Sequence, residues 1–162
     1  MAAVKIEIVP ARVFSTAYDV LVDGVPKGRI EHRILSLRDE AVIATPDRTF
    51  TARRERVFRA GAVLESAEGT LRAKAERERF WREHYRVRFD DTTLFLRQKA
   101  WSLKGVFLIS DGCGEIGSIQ RQKLFSRRMV AEFPPTPPPP LEITGFLVWS
   151  VLMVQRRQAS ES

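Results

Sequence analysis

Through roughly the first 130 residues, apolar and polar positions alternate in short runs, and each run ends at a turn signal. Asp23-Gly24, Pro46-Asp47, Glu68-Gly69, Asp90-Asp91 and Asp111-Gly112 are the punctuation. Tyr18, Val20 and Val22 share one face of such a run, and the Asp23-Gly24 pair after them predicts a two-residue hairpin turn. Tyr85, Val87 and Phe89 alternate with Arg86 and Arg88. Phe107 and Ile109 mark a more apolar run, with Ile116 and Ile119 on its return. Period-two alternation places successive side chains on opposite faces of a strand. Many short strands at this spacing predict an all-β sandwich or barrel.

The stretch Thr70 to Arg82 (TLRAKAERERFWR) is ambiguous, because it is rich in good helix formers. Leu71, Ala73 and Ala75 nevertheless alternate with Arg72, Lys74 and Glu76, which favours a strand with a charged outer side. A faint repeat also runs through this half. Arg77-Glu78-Arg79-Phe80-Trp81, Arg97-Gln98-Lys99-Ala100-Trp101 and Arg121-Gln122-Lys123-Leu124-Phe125 share an order of Arg, Glu or Gln, basic, apolar, aromatic. Their offsets of 20 and 24 residues suit a strand-loop-strand unit with a similar bend each time.

The alternation stops at a proline run, Pro134, Pro135 and Pro137 to Pro140. Prolines lack an N–H and favour an extended path, so residues 134–140 read as a stiff connector. The next segment, LEITGFLVWSVLMV (Leu141 to Val154), is apolar on every face. Fourteen residues exceed the usual strand of about 5 or 6. Pro140 and Glu142 suit a helix start, and Arg156-Arg157 a helix end, so the expected helix spans 141–157 with a frayed tail at 158–162. The segment is shorter than the roughly 20 apolar residues of a membrane span. No transmembrane segment is therefore expected, and the strands must wrap the helix. Gly145 and Ser150 offer points of close approach, and Trp149 and Leu152 are expected in the core.

At 162 residues, the chain is read as a single domain over 1–157, with strands from about 4 to 133. Hydrophobic and charged contents of 44% and 29% are those of a folded chain. The N-terminus, Met1-Ala-Ala-Val-Lys-Ile-Glu, has no signal-peptide pattern, and the single Cys113 has no internal disulfide partner. Both favour a reducing cytoplasm; a peripheral position at the membrane is an expectation that comes from the basic surface and not from these two features. A net charge of +7 favours anionic partners.

Many short strands and then one very hydrophobic C-terminal helix form an uncommon order. With the hairpin at Asp23-Gly24, the strands around Phe107 to Ile119, the Gly114-Glu115-Ile116-Gly117-Ser118-Ile119 stretch and the Leu141–Val154 helix, the chain resembles the tubby C-terminal-like superfamily. That group includes tubby-like proteins, phospholipid scramblases and LURP-one-related proteins. The resemblance covers about residues 4 to 157. It implies a mainly β fold, a closed antiparallel β-barrel around a central hydrophobic C-terminal α-helix, and a lipid-related role. The chain has no cysteine-rich palmitoylation segment, no lipid-attachment motif and no calcium-loop spacing. No phosphoinositide-binding residue set is carried over.

Catalytic chemistry has little to stand on. His32 and His84 lack partners at metal or triad spacing, and Gly112, Gly114 and Gly117 do not have the spacing of a phosphate loop. No enzyme activity, metal or cofactor is expected. The basic residues are the better candidates: Lys99, Lys104, Arg121, Lys123, Arg127 and Arg128, with Trp101 and Phe125 nearby, could gather at the repeat bends on one barrel end. Arg53, Arg54 and Arg56 form a separate run, and Glu55, Glu76, Glu78 and Glu83 could offset the positive charge. The leading expectation is a non-enzymatic module for anionic ligands, foremost phospholipid headgroups or a phosphoinositide at a membrane surface. A structural or protein-interaction scaffold is the alternative. Nucleic-acid binding, through the same pairing of rings and cations, is the weaker third.

Overall fold

The computed structural model describes residues 3–12, 15–33, 39–56, 59–78, 84–102, 105–123, 126–134 and 137–161. Among the described residues, twelve antiparallel strands precede one helix: β1 Val4–Pro10, β2 Ala17–Val22, β3 Val25–His32, β4 Ala41–Ala44, β5 Thr49–Arg56, β6 Arg59–Ser66, β7 Leu71–Arg77, β8 His84–Phe89, β9 Thr92–Gln98, β10 Phe107–Ser110, β11 Glu115–Arg121 and β12 Met129–Phe133. Each strand pairs with its sequence neighbours. β12 returns to β1 through Val4↔Phe133, Ile6↔Ala131 and Ile8↔Met129, and so closes the barrel. Closure leaves no unpaired sheet edge. The remaining element, α1, spans Leu141–Glu161.

Alternation in the sequence becomes inside and outside. Tyr18 and Val20 point inward, as do Tyr85, Val87 and Phe89 on β8 and Phe107 and Ile109 on β10. Asp23 and Gly24 both adopt positive φ, 49° and 83°, which makes the β2–β3 turn a mirror-type hairpin whose twist matches its strands. The ambiguous segment is a strand over Leu71–Arg77, with Ala73 and Ala75 inward. A register shift between Leu64 and Glu65 leaves Leu71 exposed rather than inward.

The helix occupies the lumen. Ile143 to Val154 are buried without interruption, so α1 has no solvent face over about three turns. Its entrance is held at the rim where the tight turns lie. The Pro140 carbonyl accepts from the backbone N–H of Ile143 and Thr144 at 3.0 and 2.9 Å. Glu142, in the first turn, receives Arg72 of β7 at 3.1 Å, where a carboxylate also suits the helix dipole. Trp149 and Leu152 are in the core, and Trp149 stacks on Phe146 at 5.9 Å. Gly145 lies where an added Cβ would sit 2.9 Å from Ile43 Cγ2, so the helix backbone approaches β4 closely there. Ser150 satisfies its hydroxyl by donating to the Phe146 carbonyl at 2.8 Å. The helix runs beyond the expected 157, through Glu161, with Gln158 to Glu161 exposed. Glu142 and the apolar run set its start, but nothing breaks it at Arg157, because residues 158–161 include neither glycine nor proline.

Candidate anion-binding site

Strands of odd number all run the same way in this barrel, so β1, β3, β5, β7, β9 and β11 end at one rim. We call it the loop end, because it carries the connections 33–40, 78–83, 99–106 and 122–128. The opposite rim, the turn end, carries short turns at 23–24, 45–48, 67–70, 90–91 and 111–114. The helix enters at the turn end and leaves at the loop end. There Gln155 accepts from Arg121 Nε at 3.5 Å, and Gln158 pairs with Gln98 at 2.9 Å.

This topology gathers most of the proposed residues. The three repeat segments begin at the ends of β7, β9 and β11, and therefore share the loop end. Lys99 lies in the β9–β10 loop, and Lys123, Arg127 and Arg128 lie in the β11–β12 loop. These two loops are neighbours around the rim, because β10 pairs with β11. Lys99, Lys123, Arg127 and Arg128 are exposed. Lys99, Lys123 and Arg128 make no ion pair among the described residues, so their charge faces solvent. Lys104 and Phe125 lie outside the described residues, as do Phe80, Trp81, Glu83 and the side chain of Arg56.

Two of the candidates are built into the wall. Arg121 follows inward-facing Ile119 by two positions, so its stem enters the barrel mouth, half buried against Gln155. Arg127 lies over the Tyr18 ring at 5.6 Å and donates to the Ser15 carbonyl. This ties the β11–β12 loop to the β1–β2 loop and holds the guanidinium in place through its cation–π contact. The repeat is not structurally uniform. Arg77 and Arg121 follow buried Ala75 and Ile119 by two positions, whereas Arg97 follows buried Leu96 directly and is exposed. The inward position on β9 belongs to Gln98, one residue later.

Sequence reasoning missed other cations on this rim. Arg12, Arg33 and Arg156 are exposed there, and strand direction alone would have located the first two. His32 is buried at the same end, edge-on to Tyr18 at 5.9 Å. Burial, aided by the positive charge of Arg156, lowers its pKa to about 4, so it is neutral at neutral pH. Two members of the Arg53 run are paired along the wall: Arg53 meets Glu65 at 2.8 Å and Arg54 meets Asp39 at 3.3 Å. Glu55 and Glu76 likewise engage Lys74, while Glu76 and Glu78 engage Arg86. Arg86 also holds the Glu76 carboxyl below its usual range through a hydrogen bond. These acids, expected to offset the basic surface, thus pair with barrel-wall cations rather than with Lys99, Lys123 or Arg128.

No group of three His, Cys, Asp or Glu residues that could hold a metal occurs among the described residues. No helix among them is long and apolar enough to cross a membrane.

The barrel and its helix have a counterpart of known structure. A protein from Arabidopsis thaliana, the product of locus AT5G01750, shares this fold. Its X-ray structure superimposes with a TM-score of 0.61 over 95% of this chain and 92% of that one, at 12% sequence identity. Likeness at that identity speaks to the fold alone. No family profile and no curated protein matches the sequence.

Proposed function

We propose that this protein is a non-enzymatic member of the tubby C-terminal-like group that binds anionic phospholipid headgroups at a membrane surface, phosphoinositides included. The observation that carries this reading is the convergence of Lys99, Lys123, Arg127 and Arg128 in neighbouring loops, exposed at a rim where Glu55, Glu76 and Glu78 pair with cations of the wall. Arg121 ends β11 at the same rim, and Lys104 stays a candidate through its place in the sequence alone. Exposed ammonium and guanidinium groups on adjacent loops suit phosphate, through charge-assisted hydrogen bonds from several directions at once. The filled lumen supports binding at the rim over binding inside, because α1 occupies the space that a carried ligand would need.

The test is flotation of purified protein with neutral, phosphatidylserine-containing and phosphoinositide-containing vesicles at low and moderate salt. The expected result is binding to anionic vesicles alone, weakening as salt rises because the contacts are solvent-exposed. Absence of binding to every vesicle would refute the proposal and leave the scaffold reading, in which the rim meets an acidic protein.

A further inference from the structure

We infer that the barrel docks end-on to an anionic bilayer, with Trp101 as the apolar anchor that enters the interface. This rests on the membrane-surface reading above and specifies its geometry. Three large apolar side chains are strongly exposed among the described residues: Val25, Leu71 and Trp101. Val25 and Leu71 begin β3 and β7, at the turn end. Trp101 is at the loop end, beside Lys99, and its whole surface is accessible at 102% of the reference value.

The described residues on either side of Trp101 are tied to one another by hydrogen bonds. Lys99 N–H donates to the Val106 carbonyl at 2.8 Å, Gly105 N–H to the Ser102 carbonyl at 3.2 Å, and Val106 N–H to Ser102 Oγ at 3.1 Å. Trp101 itself has φ +59°, a left-handed conformation that is costly for a bulky side chain. A strained backbone holds this indole in water, away from every described residue of its own fold, which points to a partner outside it. Indole is the side chain best matched to the headgroup layer, apolar in its body and able to donate through its N–H.

Charge fixes the orientation. The opposite rim carries Asp23, Asp47, Glu68, Asp90, Asp91, Asp111 and Glu115 against the exposed cations Lys5, Lys27, Arg48 and Arg88 at or near it, so acids outnumber bases there. An anionic surface therefore attracts the rim that bears Trp101 and repels the opposite one. Docked this way, the helix stands along the membrane normal with Arg156 towards the lipid.

The experiment compares wild type, Trp101→Ala and Trp101→Phe on phosphatidylserine/phosphatidylcholine vesicles whose acyl chains carry bromine, a short-range quencher of indole emission. The expected result is partial quenching in wild type that is clearly reduced in Trp101→Ala. The partition coefficient should fall about tenfold with the loss of part of an indole's burial, and Phe should restore some of it. Trp101→Ala should unfold at the wild-type denaturant concentration, since the ring packs on none of the described residues. If wild type binds and Trp101→Ala binds equally with unchanged quenching, the anchor is refuted while the headgroup reading stands. If wild type does not bind, both fail. Quenching of Trp101 by a single-stranded oligonucleotide, with none by brominated vesicles, would overturn the anchor in favour of base stacking.

Discussion

At Gly145 a single added group would press the helix against the barrel wall. A Cβ there would lie 2.9 Å from Ile43 Cγ2, with Ile43 Cδ1 at 3.7 Å and Ile30 Cδ1 at 3.9 Å behind it. Ile43 and Ile30 are themselves buried on β4 and β3, so neither can swing into solvent. Overpacking of this kind costs about 1–3 kcal/mol. Alanine recovers about 1 kcal/mol of helix propensity over glycine, so Gly145→Ala should be destabilising by roughly 0–2 kcal/mol. Gly145→Val adds two methyl groups with less gain in propensity, and should cost at least about 1 kcal/mol more. Ile43→Ala removes the obstructing methyl and should by itself cost about 2–5 kcal/mol as a cavity. In the double variant the new side chain fills that cavity. Urea unfolding followed by tryptophan emission should therefore show a favourable coupling of about 0.5–3 kcal/mol between positions 43 and 145. Gly114→Ala, with nothing within 4 Å of its added Cβ, is the control and should be near neutral. Strict additivity of Gly145→Val and Ile43→Ala would refute the close packing of α1 on β4.

His32 should make stability depend on pH. An unfolded histidine titrates near 6.5 and the folded one near 4, so below pH 6.5 the unfolded chain takes up a proton that the folded chain refuses. Stability is fully retained above about pH 6.5 and should fall by up to about 1.4 kcal/mol per unit as pH drops towards 4. His32→Gln should flatten this dependence relative to wild type; equal slopes from about pH 7 to 4 would contradict it. Arg72 should latch the helix entrance. It touches Glu142 at 3.1 Å and Asp90 at 3.0 Å beside the Phe89 ring, with its side chain and that of Glu142 only 19% and 17% exposed. Arg72→Met should cost about 1–3 kcal/mol in denaturant unfolding, nearly all of it coupled to Glu142 rather than to the exposed Asp90. An unchanged midpoint would mean that no such latch operates.

Most of the fold could be read from local patterns. Alternation at Tyr18-Val20, Tyr85-Val87-Phe89 and Phe107-Ile109 marked strand faces, and the Asp23-Gly24 turn marked a register. The run Leu141–Val154 was apolar on all sides, which demanded a surrounding wall. Length at the helix end was less legible: residues 158–161 carry no stop signal, so their helical state depends on propagation from the buried turns. Leu71 was misplaced because a register shift between β6 and β7 cannot be inferred from alternation alone. For the candidate site, the faint repeat suggested loops on a common rim, and the shared direction of β7, β9 and β11 supplies that arrangement. The repeat could not show that Arg127 rests on Tyr18 or that Arg121 turns into the mouth, since both depend on contacts between residues distant in the chain. Nor could it pair Glu76 on β7 with Arg86 on β8, or Arg54 on β5 with Asp39 in the connection before β4. Those pairings decide which cations remain for a ligand.

The most direct test of a binding site at the rim is vesicle partitioning of two variants with equal loss of charge. One neutralises Lys99, Lys123, Arg127 and Arg128 at the loop end, and the other neutralises Lys5, Lys27, Arg48 and Arg88, exposed at or near the turn end. Each basic group at an anionic surface contributes about 1 kcal/mol, so the first set should weaken binding by about a thousandfold. The predicted result is that loss for the loop-end variant and near wild-type binding for the turn-end variant. Equal weakening in both would mean that net charge alone drives attraction, and would contradict a binding site at the rim.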